Sequence, residues 1–158
     1  MSDAFDQLLA RAESTLAELQ TSEDQVRGYA LQFGDQIGKI GRAVTQHPDL
    51  APRVRAFVER TAPLIARHLP LGLWIGSVYD AAESGSSDPD DYVQALSARS
   101  DLQFFLDLYR DSVACTYLDG IETESTDEDL KAWGVHHQVD DVPPGIPPSH
   151  VWWYERRS

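Results

Sequence analysis

The sequence predicts an all-α fold: five to seven helices in a compact bundle, followed by an extended, proline-rich C-terminal strap. Three observations carry this. Apolar residues in the first 46 positions recur at alternating steps of four and three. Helix start and stop signals punctuate the stretch from 49 to 134. The segment Val142-Pro143-Pro144-Gly145-Ile146-Pro147-Pro148 then excludes a helix and is expected to run near polyproline II geometry. The 158 residues suit one domain: an amphipathic segment (1–46), a helical core (49–134) and a strap (135–158). A chain of this length buries roughly 70% of the surface its unfolded form exposes.

The amphipathic segment carries the clearest period. Phe5, Leu9, Ala12, Leu16 and Leu19 are followed by Val26, Ala30, Phe33, Ile37, Ile40 and Val44. Such a seam packs helix on helix. Glu23 falls where the seam wants an apolar residue, and Ser22 with Gln25 three positions later has the form of a capping box. A charged seam residue beside a cap predicts two helices meeting at Thr21-Ser22 rather than one kinked helix. Gly34 and Gly38 lie one turn apart in the second helix. They let another backbone approach, either inside the molecule or at a self-association face.

His47-Pro48 ends this helix, because the residue before a proline avoids helical geometry. Asp49 is expected to cap a third helix with Pro52 in its first turn and Val54, Phe57, Val58, Ile65 and Leu69 inside. Pro63 must kink or split it. Arg53, Arg55, Arg60 and Arg67 make it the one basic element, expected to pair with the acidic half. Leu71, Trp74, Ile75 and Val78 mark the expected most buried helix. Asp88, Pro89, Asp90 and Asp91 form a strong helix start. Ser100 is expected to open a further helix with Leu102, Phe105, Leu106, Tyr109, Val113 and Tyr117 inside, closed by Gly120. Thr126 begins a last short helix carrying Leu130 and Trp133, closed by Gly134. Val151-Trp152-Trp153-Tyr154 is too apolar to leave in water. It is expected either to fold back over the body or to dock on another chain.

Charge is segregated along the chain. From Asp80 to Asp141 there are sixteen Asp and Glu against Arg99, Arg110 and Lys131, which is the whole net charge of −13. Such a field draws basic partners and opposes nucleic acid. The single Cys115 forms no internal disulfide, as expected in a reducing compartment. The N-terminal residues lack the basic-then-apolar order of a secretory signal. The apolar run Leu69 to Tyr79 is shorter than the about 20 residues a bilayer needs. Together these predict a cytoplasmic protein with no membrane contact.

Motifs for chemistry are thin. Gly34-Asp35-Gln36-Ile37-Gly38-Lys39 resembles a phosphate loop but has three residues between its glycines, and Ile40 replaces the magnesium-binding hydroxyl. His136, His137, Asp140, Asp141 and His150 have metal-ligand chemistry without helical spacing, so no metal site and no cofactor is expected. Carboxylates cluster at helix starts and in loops, where capping accounts for them. Cys115 is expected to pack as a small hydrophobe in a negative field, not to act as a nucleophile. No catalytic residue is assigned.

The leading expectation is a protein that binds a basic macromolecular partner through Asp88, Asp90, Asp91, Glu122, Glu124, Asp127, Glu128, Asp129, Asp140 and Asp141. An immunity protein, an inhibitor of a basic toxin or nuclease acting as a DNA mimic, and an effector chaperone all fit that face. Inhibition comes first, because spaced carboxylates can occupy a phosphate-binding site. One alternative is a helical enzyme or small-ligand binder with its pocket at Trp74, Tyr79, Trp152 and Trp153. Another is a self-associating structural adaptor, a homodimer through the glycine seam.

Overall fold

A computed structural model describes residues 2–67, 69–137, 139 and 141–154. Among them are seven α-helices and no strand: α1 (Ser2–Thr21), α2 (Val26–Gln46), α3 (Ala51–Ala66), α4 (Gly72–Glu83), α5 (Pro89–Tyr109), α6 (Cys115–Leu118) and α7 (Glu124–Trp133). Single 3-10 turns occupy Pro48–Leu50, Gly134–His136 and Val151–Trp153.

The seam breaks where the charged residue and the cap fall together. Ser22 Oγ accepts the Gln25 N–H at 3.2 Å, and α1 and α2 separate there. α1 packs on α2, α2 on α5, and α4 lies against α2, α5 and α7, while α3 touches α1, α5 and α6. α5 is therefore the hub. The expectation that the Trp74 helix would be most buried is corrected: α4 leaves Leu73 exposed, whereas α5 packs against α2, α3, α4, α6 and α7.

The glycines of α2 face inward. A Cβ on Gly34 would collide with the Trp74 indole, on Gly38 with the Asp101 carboxylate, and on Gly41 with the Phe104 ring. Close packing to α4 and α5 uses this stripe, so the glycine face lies inside the molecule rather than open for self-association. Trp74 meets Phe33 and Phe105 edge-on, with centroids 6.2 and 5.4 Å away. Edge-to-face rings of this kind contribute about 0.5–1.5 kcal/mol beyond area burial. α3 is tied to α5 by Thr61, whose hydroxyl donates to the Phe57 carbonyl at 2.8 Å and meets the Tyr109 hydroxyl at 2.7 Å.

Several boundaries differ from expectation. α5 runs unbroken through Ser100, because Leu102, Phe105 and Tyr109 continue the burial of Tyr92, Ala95 and Leu96. α5 ends at Tyr109. Val113 is then 66% exposed on a turn, not on an inner face. Asp49 sits in the 3-10 turn and α3 starts at Ala51 with no side-chain cap. Pro63 does not split α3, which ends three residues beyond it. α7 begins at Glu124, where Glu122 Oε1 accepts the Ser125 N–H at 2.9 Å, two residues before the expected start. Cys115 is exposed at the head of α6 rather than packed.

The strap folds over the helical body. Gly145, at φ +83°, lies within 2.7 Å of the Arg42 carbonyl as measured from a Cβ it does not carry, so its positive φ and its lack of a side chain are both required where the strap crosses the end of α2. Trp152 and Trp153 are buried in a second apolar cluster with Ala82, Tyr92, Ala95, Leu96, Leu130 and Trp133. Ile146 touches both this cluster and the main core. The tip (155–158) lies outside the described residues.

Candidate functional site

The acidic residues are placed by two helix starts. Asp88 caps α5 by accepting the Asp90 N–H at 2.9 Å, and Asp90 and Asp91 fill the first turn. Carboxylates here gain from the positive end of the helix. All three are exposed, as are Glu122, Glu124 and Glu128 around the start of α7, while Asp129 is half-buried. The two starts do not coincide. Trp133 Nε1 at the end of α7 donates to the Ser86 carbonyl at 2.8 Å, whereas Asp127 in its first turn reaches Arg99. α7 thus lies antiparallel along α5, and the stretch from Asp88 to Arg99 rises about 16 Å. The acids form two groups, one at each end of α7. Asp141 is exposed on the strap, and Asp140 lies outside the described residues.

Asp127 differs from its neighbours. Arg99 holds it in a bidentate pair, Nε to Oδ1 at 2.6 Å and Nη2 to Oδ2 at 3.2 Å. The Arg99 side chain is only 3% exposed. Its guanidinium lies 4.1 Å from the Trp152 ring centroid, a cation–π contact. Asp127 is therefore an internal counter-ion as well as a member of the acidic stretch.

The arginine helix does not neutralise these acids. Arg53 pairs with Asp6 at 3.8 Å and Arg60 with Glu13 at 2.8 Å, both on α1. This corrects the expected pairing with the acidic half. Of the cations inside the stretch, Arg99 is committed to Asp127 and Arg110 to Asp107 at 2.8 Å. Asp101 receives a cation from the N-terminal half, Arg42 at 3.2 Å. Burial raises Asp101 to about 7 even so, the arginine pulling the other way.

Beneath the acidic stretch sits a polar knot. Ser100 Oγ, fully buried, lies 2.8 Å from Trp153 Nε1, 3.2 Å from Trp152 Nε1 and 2.9 Å from His150 Nδ1. His150 is also fully buried, with its ring stacked on Trp152 and tilted against Phe104. Burial pushes it down to about 4. The sequence offered one signal for this knot, an Arg-Ser pair inside an otherwise helical run, which reads more simply as a helix start.

The residues of the expected pocket, Trp74, Tyr79, Trp152 and Trp153, are divided between two apolar clusters. Trp74 belongs to the main core, with Tyr79 packed against it, and Trp152 and Trp153 to the second cluster. Tyr79 lies against Glu122, whose main chain hydrogen-bonds it, and burial raises its pKa. A cavity does occur elsewhere, between α3 and the turn after α5. The histidines also diverge: His137 stacks on Tyr92 and donates to the Ser86 carbonyl at 3.2 Å, far from the role of His150. Among the described residues no three His, Cys, Asp or Glu side chains are grouped to hold a metal, and no helix is long and apolar enough to cross a membrane.

No family model matches the chain, and no curated protein or solved structure matches it either.

Proposed function

We propose that this chain is an acidic binding protein that engages a basic protein, acting as an inhibitor or immunity protein against a toxin or nuclease. One observation supports this most: the carboxylates at the two ends of α7 stay exposed while Arg53 and Arg60 of α3 pair with α1. Had those arginines crossed to the acidic half, the field would have been spent internally. As it stands, Asp88, Asp90 and Asp91 face a partner from one end of α7 and Glu122, Glu124 and Glu128 from the other. The spacing of about 16 Å suits cations spread along a nucleic-acid-binding cleft better than a single basic side chain. Such a surface steers encounter and sets specificity more than it adds affinity.

The test is capture of the partner by the full chain and by a Glu122→Gln, Glu124→Gln, Glu128→Gln variant, followed by titration of the captured protein. A basic protein is expected, bound more weakly by the variant. Its affinity should fall steeply by about 1 M salt, where the screening length is about 3 Å. Affinity that ignores both salt and the variant overturns the proposal.

A further inference from the structure

The cavity between α3 and the turn after α5 holds about 460 Å³, within the roughly 300–1,000 Å³ typical of small-molecule sites. Val54, Val58 and Ala62 supply an apolar floor from successive turns of α3, and Leu108 closes it from α5. Val113 stands at its edge, 66% exposed, more than any other large apolar side chain among the described residues. The proposed acidic face uses none of this surface.

The polar groups at the rim are unbalanced. Glu59 and Asp111 bring carboxylates, and Arg55 brings the one guanidinium. Among the described residues, neither Glu59 nor Asp111 is engaged in an ion pair, while the neighbouring Arg53 and Arg60 are held by α1. Two carboxylates thus outweigh one guanidinium above an apolar floor.

We propose that this groove binds a small organic cation, a primary ammonium carried on an apolar body. An ammonium has three donors and no acceptor, which complements the rim. The floor covers the apolar part, and the net charge of −13 raises the local concentration of any cation.

The test is an NMR titration of the full chain with octylamine, 1-octanol and octanoate, which share an alkyl chain and differ in headgroup. Octylamine should shift the amides of residues 54–62 and 108–113 and bind about tenfold or more tighter than 1-octanol. Octanoate should bind weakest. The Glu59→Gln, Asp111→Asn double variant should bring octylamine to the level of 1-octanol. Equal affinities for the three probes, shifts confined to residues 88–91 and 122–129, or indifference to the double variant would each overturn the proposal.

Discussion

Ser100 Oγ and His150 Nδ1 stand 2.9 Å apart, and two other hydrogen bonds set the direction of this one. A hydroxyl has two lone pairs and one proton. The indole N–H groups of Trp152 and Trp153 take the lone pairs, so the Ser100 proton goes to His150 Nδ1. The network therefore assigns His150 the neutral tautomer with its proton on Nε2. Protonation of Nδ1 would aim a donor at an oxygen with nothing left to accept it.

Acid should therefore loosen the strap. His150 falls from its ordinary 6.5 to about 4 when folded. Its contribution is fully present above about 6.5 and is lost as pH falls toward 4, about 3 kcal/mol in all. The charged groups acting on it are Asp107, which opposes the shift, and Arg99, which adds to it. Asp101 runs the other way. Its folded value of about 7 lies above the ordinary 3.8, so its contribution is present below 3.8 and is lost as pH rises through 7. Over most of the window the two slopes cancel. Urea melts of Asp101→Asn should show stability falling on acidification, and those of His150→Gln should show it rising. Parallel pH profiles for the two variants would refute the assignment.

Ser100→Ala should cost about 3 kcal/mol, because two buried indole N–H groups lose their acceptor. Denaturant midpoints compared with wild type measure it. Tryptophan emission at low denaturant should shift red as Trp152 and Trp153 reach water. An unchanged midpoint would show that the knot contributes nothing.

The Arg99–Asp127 pair should respond asymmetrically. Asp127 is 38% exposed and Arg99 is 3% exposed, so each loses a different amount of water. Asp127→Asn leaves a buried guanidinium without its counter-charge and should cost about 3 kcal/mol. Arg99→Met leaves a carboxylate that water can solvate and should cost clearly less. Thermal unfolding of the two variants gives the order.

Two glycine substitutions on one helix should have opposite signs. Gly34→Ala pushes a methyl group into the Trp74 indole and should destabilise by about 1–3 kcal/mol. Gly28→Ala meets nothing within 4 Å and should stabilise by up to about 1 kcal/mol. A pair of melting curves decides.

Legibility in the sequence followed the range of the forces involved. The α1–α2 break and the Asp88 cap were readable because each depends on residues within one turn of itself. The burial of the α2 seam was readable because period alone carries it. Ser100 was misread because serine at a helix start and serine buried in a hub helix look alike until residues fifty positions later arrive. The destination of the α3 arginines was equally hidden: charge counting shows that partners exist, and only topology shows that Asp6 and Glu13 take them. For the acidic face, the exposed residues were legible and their division between the two ends of α7 was not.

The strap also serves as a cover. The acceptor on Ser100 meets its partners across sequence separations of 50 to 53 residues, so the lid over the second cluster is supplied from the far end of the chain. Trp152 and Trp153 close the cluster that holds Tyr92, Leu96, Leu130 and Trp133. Truncating the chain before His150 would therefore leave those four side chains as an open apolar flank, the kind of surface on which proteins aggregate.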